Sequence, residues 1–405
     1  MKRHAWILIA AWSGLSLSAQ TRVELAGPWE RWIGSRFHDV ITVPSSYRPI
    51  GTARLRREIE LAPLKPDQRM LLRFEGVAHR AEARVNGKSA GSMGPWTPYD
   101  FDVTDQVRAG RNQIEVEVTD WQVPLGPSGA WEASGGIIRD VHLETRSDPY
   151  IENAHLQYKL SAGLDTARCD LDVYVRSSAA AQGRLTAALM RGGTPVAQAA
   201  RDIATEAGGS KISIGFEVAS PLLWSPENPN LYTLRVRLRS ANGEDLFTAE
   251  TGFRDLAIHG NQFLLSGKPL VLRGVCRHDI WKDQGHTMTQ AQIEQDLGMT
   301  KAMGANFIRL VHYPHNKRVV DTANRLGLFV TEESGLVWLD FRRQSRETIE
   351  TGLGNLERTL RRDWNSPALF ALLLSNESSP TLEVIQEARR RIRALAPDLF
   401  MSAAR

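Results

Sequence analysis

"ALFALLLSNESS", residues Ala368 to Ser379, decides the architecture. An apolar run from Ala368 to Leu374 stops abruptly at Ser375-Asn376-Glu377. Such a short unbroken run reads as a strand buried on both faces, the kind found in parallel sheets. Its flanks agree. Leu353, Leu356 and Leu360 precede it at helical spacing. "TLEVIQEARRRIRALAP" follows, with Val384, Ile385, Ala388, Ile392 and Leu395 toward one helical face. The unit is a strand between helices, with an amide and a carboxylate at its carboxyl end.

The same unit repeats upstream. "PLVLRGVCRHD" ends in Arg277-His278-Asp279, "ANFIRLVHYP" carries Arg309 and ends at His312-Tyr313, and "LFVTEES" carries Glu332-Glu333. Helices lie between them. "TQAQIEQDLGMTKAMG" has Ile293, Leu297 and Met303 near one face, and "NKRVVDTANRLG" is stopped by Gly327. Downstream, "LFMSAAR" opens a fifth strand. Repeated βα units with polar strand ends indicate a (β/α)8 TIM barrel, whose sites gather at those ends. A doubly wound open sheet would want a glycine-rich phosphate loop after its first strand. "GVCRHDIWKDQG" is not one. A full barrel takes roughly 250 residues, and 145 follow Gly260. The expectation is an incomplete barrel over 259–405.

Before Gly260 the hydrophobic period is two. "RNQIEVEVTD" alternates Ile114, Val116 and Val118 with Glu115 and Glu117. Asn86-Gly87 suits a two-residue hairpin turn. In "LYTLRVRLRS", Tyr232, Leu234, Val236 and Leu238 face inward. Two β-sandwiches are expected, a jelly-roll-like one over 20–148 and an immunoglobulin-like one over 149–258. The stretch from Ala179 to Gly209 carries little pattern and reads as loose strands and loops. There is no solenoid-type repeat.

Composition narrows the function classes. Apolar content is 42% and charged content 24%, an ordinary globular balance. The formal charge is +4, without Lys/Arg blocks, which gives no support for nucleic-acid binding. Lys2, Arg3 and His4 precede an apolar stretch, Ala5 to Leu17, with small residues at its exit. That reads as a secretory signal over 1–19, giving a protein exported to the periplasm or beyond. No later stretch is long enough to span a bilayer, so no membrane partner is expected. The two cysteines, Cys169 and Cys276, read as buried thiols in different domains.

The strand ends carry the chemistry. A carboxyl group in a partly dry barrel mouth suits a general acid near neutral pH. Glycoside hydrolysis needs two carboxylates, one to protonate the leaving oxygen and one to attack or activate water. Arg309 also reads as an ion-pair partner of Glu332, Glu333 or Glu377. Glu332 and Glu333 read as structural. Trp96 and Trp131 are open to two readings, sugar platforms or anchors for core and loop.

The chain resembles glycoside hydrolase family 2. "NFIRLVHYPHNKRVVDTANRLGLFV" (306–330) is similar to one family signature and "RDWNSPALFALLLSNES" (362–378) to the other. "GGIIRDVHLE", "LWSPENPNLYTL" and "GFRDLAIHGNQFLLSGKPLVLRGVCRHD" resemble its sugar-binding sandwich, immunoglobulin-like domain and barrel entry. The resemblance implies a retaining exo-β-glycosidase acting on a carbohydrate. β-Galactosides come first, then β-glucuronides or β-mannosides; a non-catalytic sugar-binding relative is the rival. It implies Glu377 as acid/base, and Asn376 on the hydroxyl beside the reacting carbon. His278 and His312 would line the sugar pocket, and Arg309 would hold a catalytic carboxylate. The family nucleophile, a Glu on strand seven, has no counterpart among these 405 residues. The metal pattern of some β-galactosidases is absent, so no metal or other cofactor is expected; an oligomer is compatible. Ser366 stands where the family often has His, Leu372 where it often has Trp, and Ser266 where Asn is frequent.

Overall fold

The computed structural model describes residues 20–47, 51–119, 125–126 and 135–404. The expected signal segment and Trp131 lie outside the described residues.

Period-two alternation becomes two packed pairs of antiparallel sheets. In the first, a four-stranded sheet faces a six-stranded one. Strand Gly110–Thr119 shows why. Ile114, Val116 and Val118 are fully buried while Glu115 and Glu117 pair with Arg54 and Arg56 on the outer face. Asn86 and Gly87, with φ of 51° and 81°, turn the chain between strands Arg80–Val85 and Lys88–Met93. Positive φ at both positions is what such a tight hairpin demands.

The second sandwich packs three strands against four. Tyr232, Leu234, Val236 and Leu238 all face its core. Here the structure corrects the reading of Ala179 to Gly209. Strands Ala181–Arg191 and Thr194–Thr205 pair along almost their whole length. Leu185, Ala187 and Leu189 supply the buried face. Alanine is too weak a hydrophobic signal to show that alternation without its partner strand. A buried two-pronged ion pair, Arg146 to Asp245 at 2.6 and 2.8 Å, ties the two sandwiches together.

The third region holds five parallel strands in sequence order: Gly274–Arg277, Phe307–Leu310, Phe329–Glu333, Leu369–Leu373 and Phe400–Ser402. Parallel neighbours in register put all five carboxyl ends on one side. Helices Gln290–Ala302, Lys317–Leu326, Arg346–Asp363 and Leu382–Leu395 connect or flank them. Gly327 ends the second in a left-handed cap, φ 67°.

Four further readings are corrected. "PLVLRGVCRHD" splits, because Lys268–Leu270 pairs back onto Gln262–Leu265 in a small antiparallel sheet. Only Gly274–Arg277 joins the barrel. Met303 is 72% exposed: the helix ends at Ala302, so Met303 leaves the face that Ile293 and Leu297 bury. Cys169 is buried, but Cys276 is exposed. On the last helix Ala388 and Ile392 are buried while Ile385 is exposed. Among the described residues, no helix is long and apolar enough to cross a membrane.

Candidate active site

Four of the five strands hand groups to the common rim. His278 follows the first strand, Arg309 stands one residue before the end of the second and His312 follows it. Glu333 ends the third, and Asn376-Glu377 follows the fourth. Glu333 is the anchor. Its buried carboxylate accepts Arg309 Nε at 2.7 Å and faces His312 Nδ1 at 3.3 Å. The other arm of Arg309 donates to Asn376 Oδ1 at 2.8 Å. One connected line thus runs His312–Glu333–Arg309–Asn376, across three strand ends.

Arginine only donates, so its contact assigns the Asn376 oxygen and leaves the amide nitrogen to donate elsewhere. A carboxylate only accepts, so His312 Nδ1 carries the proton it points at Glu333. In the neutral ring Nε2 is then an acceptor. His278 meets His312 edge-on, with ring centroids 5.4 Å apart. Burial, reinforced by His312, pushes His278 down to about 4. It is therefore neutral at pH 7, fit to exchange hydrogen bonds with hydroxyls rather than to carry charge.

Glu377 differs from these groups in being exposed. Its position is set by backbone. Trp338 N–H donates to Asn376 O at 3.0 Å, and Glu377 N–H donates to Ala404 O at 3.0 Å. The Trp338 indole N–H donates to the Glu377 carboxylate. Both residues have positive φ, 57° and 43°. A non-glycine residue there costs roughly 1–2 kcal/mol, and such strain clusters at functional sites. Trp338 is 47% exposed and stands beside this carboxylate.

Beneath the rim lies a second, fully buried network. Glu332 accepts Arg362 at 2.9 Å and the His315 backbone N–H at 2.9 Å. Burial, with Asp363 beside it, pushes Glu332 up against the pull of Arg362. Asp279 accepts from Arg277 at 3.2 Å and from the Asn316 N–H at 3.1 Å. Burial opposes its charge, but His315, Arg277 and Arg139 around it hold its carboxyl well below the usual range.

Arg309, His312 and Asn376 are thus linked by hydrogen bonds, with His278 against His312 and Glu377 next in chain to Asn376. Arg309 grips Glu333 and Asn376 rather than Glu377. Glu332 takes the structural part expected of it, whereas Glu333 faces the rim. Trp96 is core, fully buried against Tyr313 at 4.5 Å between ring centroids. Sequence reasoning missed Trp338, since no periodicity marks a tryptophan in an irregular loop. Ser366 bonds Asn324 at the strand's far end, and Leu372 packs among the outer helices.

A parallel barrel whose strand ends present carboxylates, an amide and two histidines, behind two β-sandwiches, has the layout of a glycoside-processing protein. Family comparison agrees along the chain. Residues 26–147 match the family 2 glycosyl hydrolase sugar binding domain, 149–254 the central family 2 domain and 256–398 the family 2 TIM barrel domain. The chain belongs to glycoside hydrolase family 2. A β-galactosidase of Enterobacter cloacae is 30% identical over 346 residues, 82% of this chain and 34% of that enzyme. A β-galacturonidase of Eisenbergiella tayi, solved with glycerol bound, superposes with TM-score 0.85 at 27% identity, covering 96% of this chain and 71% of that one. A Bacteroides uniformis β-glucuronidase superposes with TM-score 0.86 at 24% identity, covering 95% and 52%. At that identity the likeness is one of fold. The chain spans about a third of the β-galactosidase and about half of the β-glucuronidase.

Proposed function

We propose that these residues form the acid/base side and sugar pocket of a retaining exo-β-glycosidase. The observation that carries the reading is the line His312–Glu333–Arg309–Asn376 leading to Glu377 at the open rim. Glu377 protonates the glycosidic oxygen as the bond breaks, then takes a proton from the incoming water. The Asn376 amide, its oxygen engaged by Arg309, donates to the hydroxyl beside the reacting carbon. Neutral His278, with His312 beside it, exchanges hydrogen bonds with other ring hydroxyls. Trp338 offers its exposed face to the sugar and an N–H to the acid. The covalent step needs a second carboxylate about 5–5.5 Å away. Glu332 is engaged below the rim and Glu333 is held by Arg309 and His312, so neither is free to attack. That partner is assigned to a later barrel strand of the whole protein.

β-Galactosides are the first substrates to try, on the strength of the β-galactosidase relative. β-Glucuronides, β-galacturonides and β-mannosides follow. The basic, apolar and small-residue order of the first 19 residues supports export. The test is hydrolysis of the four aryl β-glycosides by the 405-residue chain, with Glu377→Gln as control. Acid/base assistance contributes about 10²–10⁴-fold, so turnover by this chain is expected to be weak or nil. Robust turnover abolished by Glu377→Gln would overturn the placement of the nucleophile; robust turnover that survives it would overturn the role of Glu377.

A further inference from the structure

Arg139 belongs to the first sandwich, yet its guanidinium ends inside the barrel mouth. It follows strand Gly136–Ile137, which pairs with Val77–Ala78. The side chain is 2% exposed. One arm donates to the Trp96 carbonyl of its own domain. The other donates to the Pro314 carbonyl of the barrel at 2.6 Å and lies 3.7 Å from Asp279 Oδ2. Gly76 leaves the space this needs, since a Cβ there would stand 2.9 Å from Arg139 Cδ.

The groups it grips are neighbours in the chain of the two pocket histidines. Asp279 follows His278, and Pro314 stands two residues after His312. Tyr313, between them, is a fully buried knob packed with Trp96, Ala78 and Ile138 of the sandwich. Its hydroxyl accepts the Asp279 N–H at 3.2 Å. His286, edge-on to Trp96, lies 3.0 Å from the Asp279 carbonyl. The two barrel loops therefore meet at one point, and a cation from another domain closes it. An arginine fork can hold a carbonyl and a carboxylate together in fixed geometry, where a lysine presents a single point charge.

We propose that Arg139 is a positioning residue that sets the spacing of His278 and His312 in the sugar pocket. This rests on reading those two histidines as pocket residues. The sandwich is then a wall that shapes the site, as well as a support for the barrel.

The test reads the rings themselves. In the full chain labelled at histidine Cε1, the His278 and His312 signals are assigned with His278→Gln and His312→Gln and followed with pH. Arg139→Met is expected to shift both signals. It should also raise the His278 midpoint from about 4 toward the ordinary 6.5, as water reaches a ring faced by His312, Tyr313, Arg277 and Glu333. Gly76→Ala, which keeps the arginine but crowds its stem, is expected to shift the same two signals by less. Asp140→Asn is the control. It breaks the neighbouring ion pair with Arg318 on the same interface without touching either loop, and both rings should stay in place. Unmoved rings in folded Arg139→Met overturn the proposal. If that variant fails to fold, unmoved rings in Gly76→Ala overturn it. Rings that move equally in Asp140→Asn reduce Arg139 to domain glue and also overturn it. Titration of phenyl thio-β-galactoside and thio-β-glucuronide into the unaltered chain separates the two readings. Failure of both to bind would count against the sugar pocket and leave the ring measurement standing on its own.

Discussion

Glu332 and Glu333 are adjacent in sequence and sit in two different networks. Side chains alternate along a strand, so one carboxylate points among the helices and the other toward the rim. Glu332 joins Arg362, Asp363 and His315 in a closed set where every group serves another protein group. Glu333 joins Arg309, His312 and Asn376, a line that ends at an exposed carboxylate. The first network fastens a helix and a loop to the sheet. The second has an open end, and that end is where a ligand can enter. Burial alone does not separate them, since both carboxylates are buried. What separates them is whether the chain of partners closes on itself.

The comparison predicts opposite outcomes for paired substitutions. Arg362→Met strands Glu332 and Asp363 in the interior. Breaking a buried pair costs about 3–5 kcal/mol, read as a lower denaturation midpoint in urea with the chain's other properties retained. Glu333→Gln keeps a hydrogen-bonding group on Arg309 and should cost less stability. Its larger effect should fall on sugar binding. If Glu333→Gln destabilises more than Arg362→Met, the division between the two networks fails.

Acid should reach the buried groups around Asp279 through His286, whose Nδ1 lies 3.0 Å from the Asp279 carbonyl. His286 is pushed down to about 4, chiefly by burial. The unfolded ring takes its proton near 6.5, so between those values the unfolded state binds more protons and stability falls with falling pH. The contribution is full above about pH 6.5 and is lost toward pH 4. Asp279, with a depressed folded value, acts in the same sense at lower pH: its contribution holds above about pH 4 and drains below it. His286→Gln should flatten the slope between pH 6.5 and 4, measured as thermal midpoint against pH. An unchanged slope would remove His286 from the account.

Trp338→Phe should have the smallest effect. It keeps an aromatic face and loses one hydrogen bond to Glu377, worth about 1.5–3 kcal/mol when one partner is charged. That figure shrinks at an exposed site. A change in binding of only a few-fold is expected, with stability unaltered.

Much of this was legible in the sequence. Strands buried on both faces have to be apolar throughout, so Ala368 to Leu374 announced itself, and polar residues had to fall at the strand ends. The hairpin at Asn86-Gly87 was readable because positive φ restricts residue type. The strands at 181–205 were not, because alanine's small side chain hides which face is buried until a partner is known. The distinction between Glu332 and Glu333 was also out of reach. It depends on which side of the strand meets helices, a fact of packing. Arg139 was hidden for the same reason: its partners come from 43 and 175 residues away in the chain.

The central claim is that Asn376 and Glu377 stand at the open end of a sugar-binding line anchored by Glu333. Calorimetric titration of phenyl thio-β-glycosides into the chain and its Asn376→Ala variant tests this most directly. The account predicts that at least one glycoside binds one-to-one, and that Asn376→Ala weakens it about tenfold, the equivalent of 1.4 kcal/mol. Equal affinity for both proteins, or no binding by any of the glycosides, would contradict it.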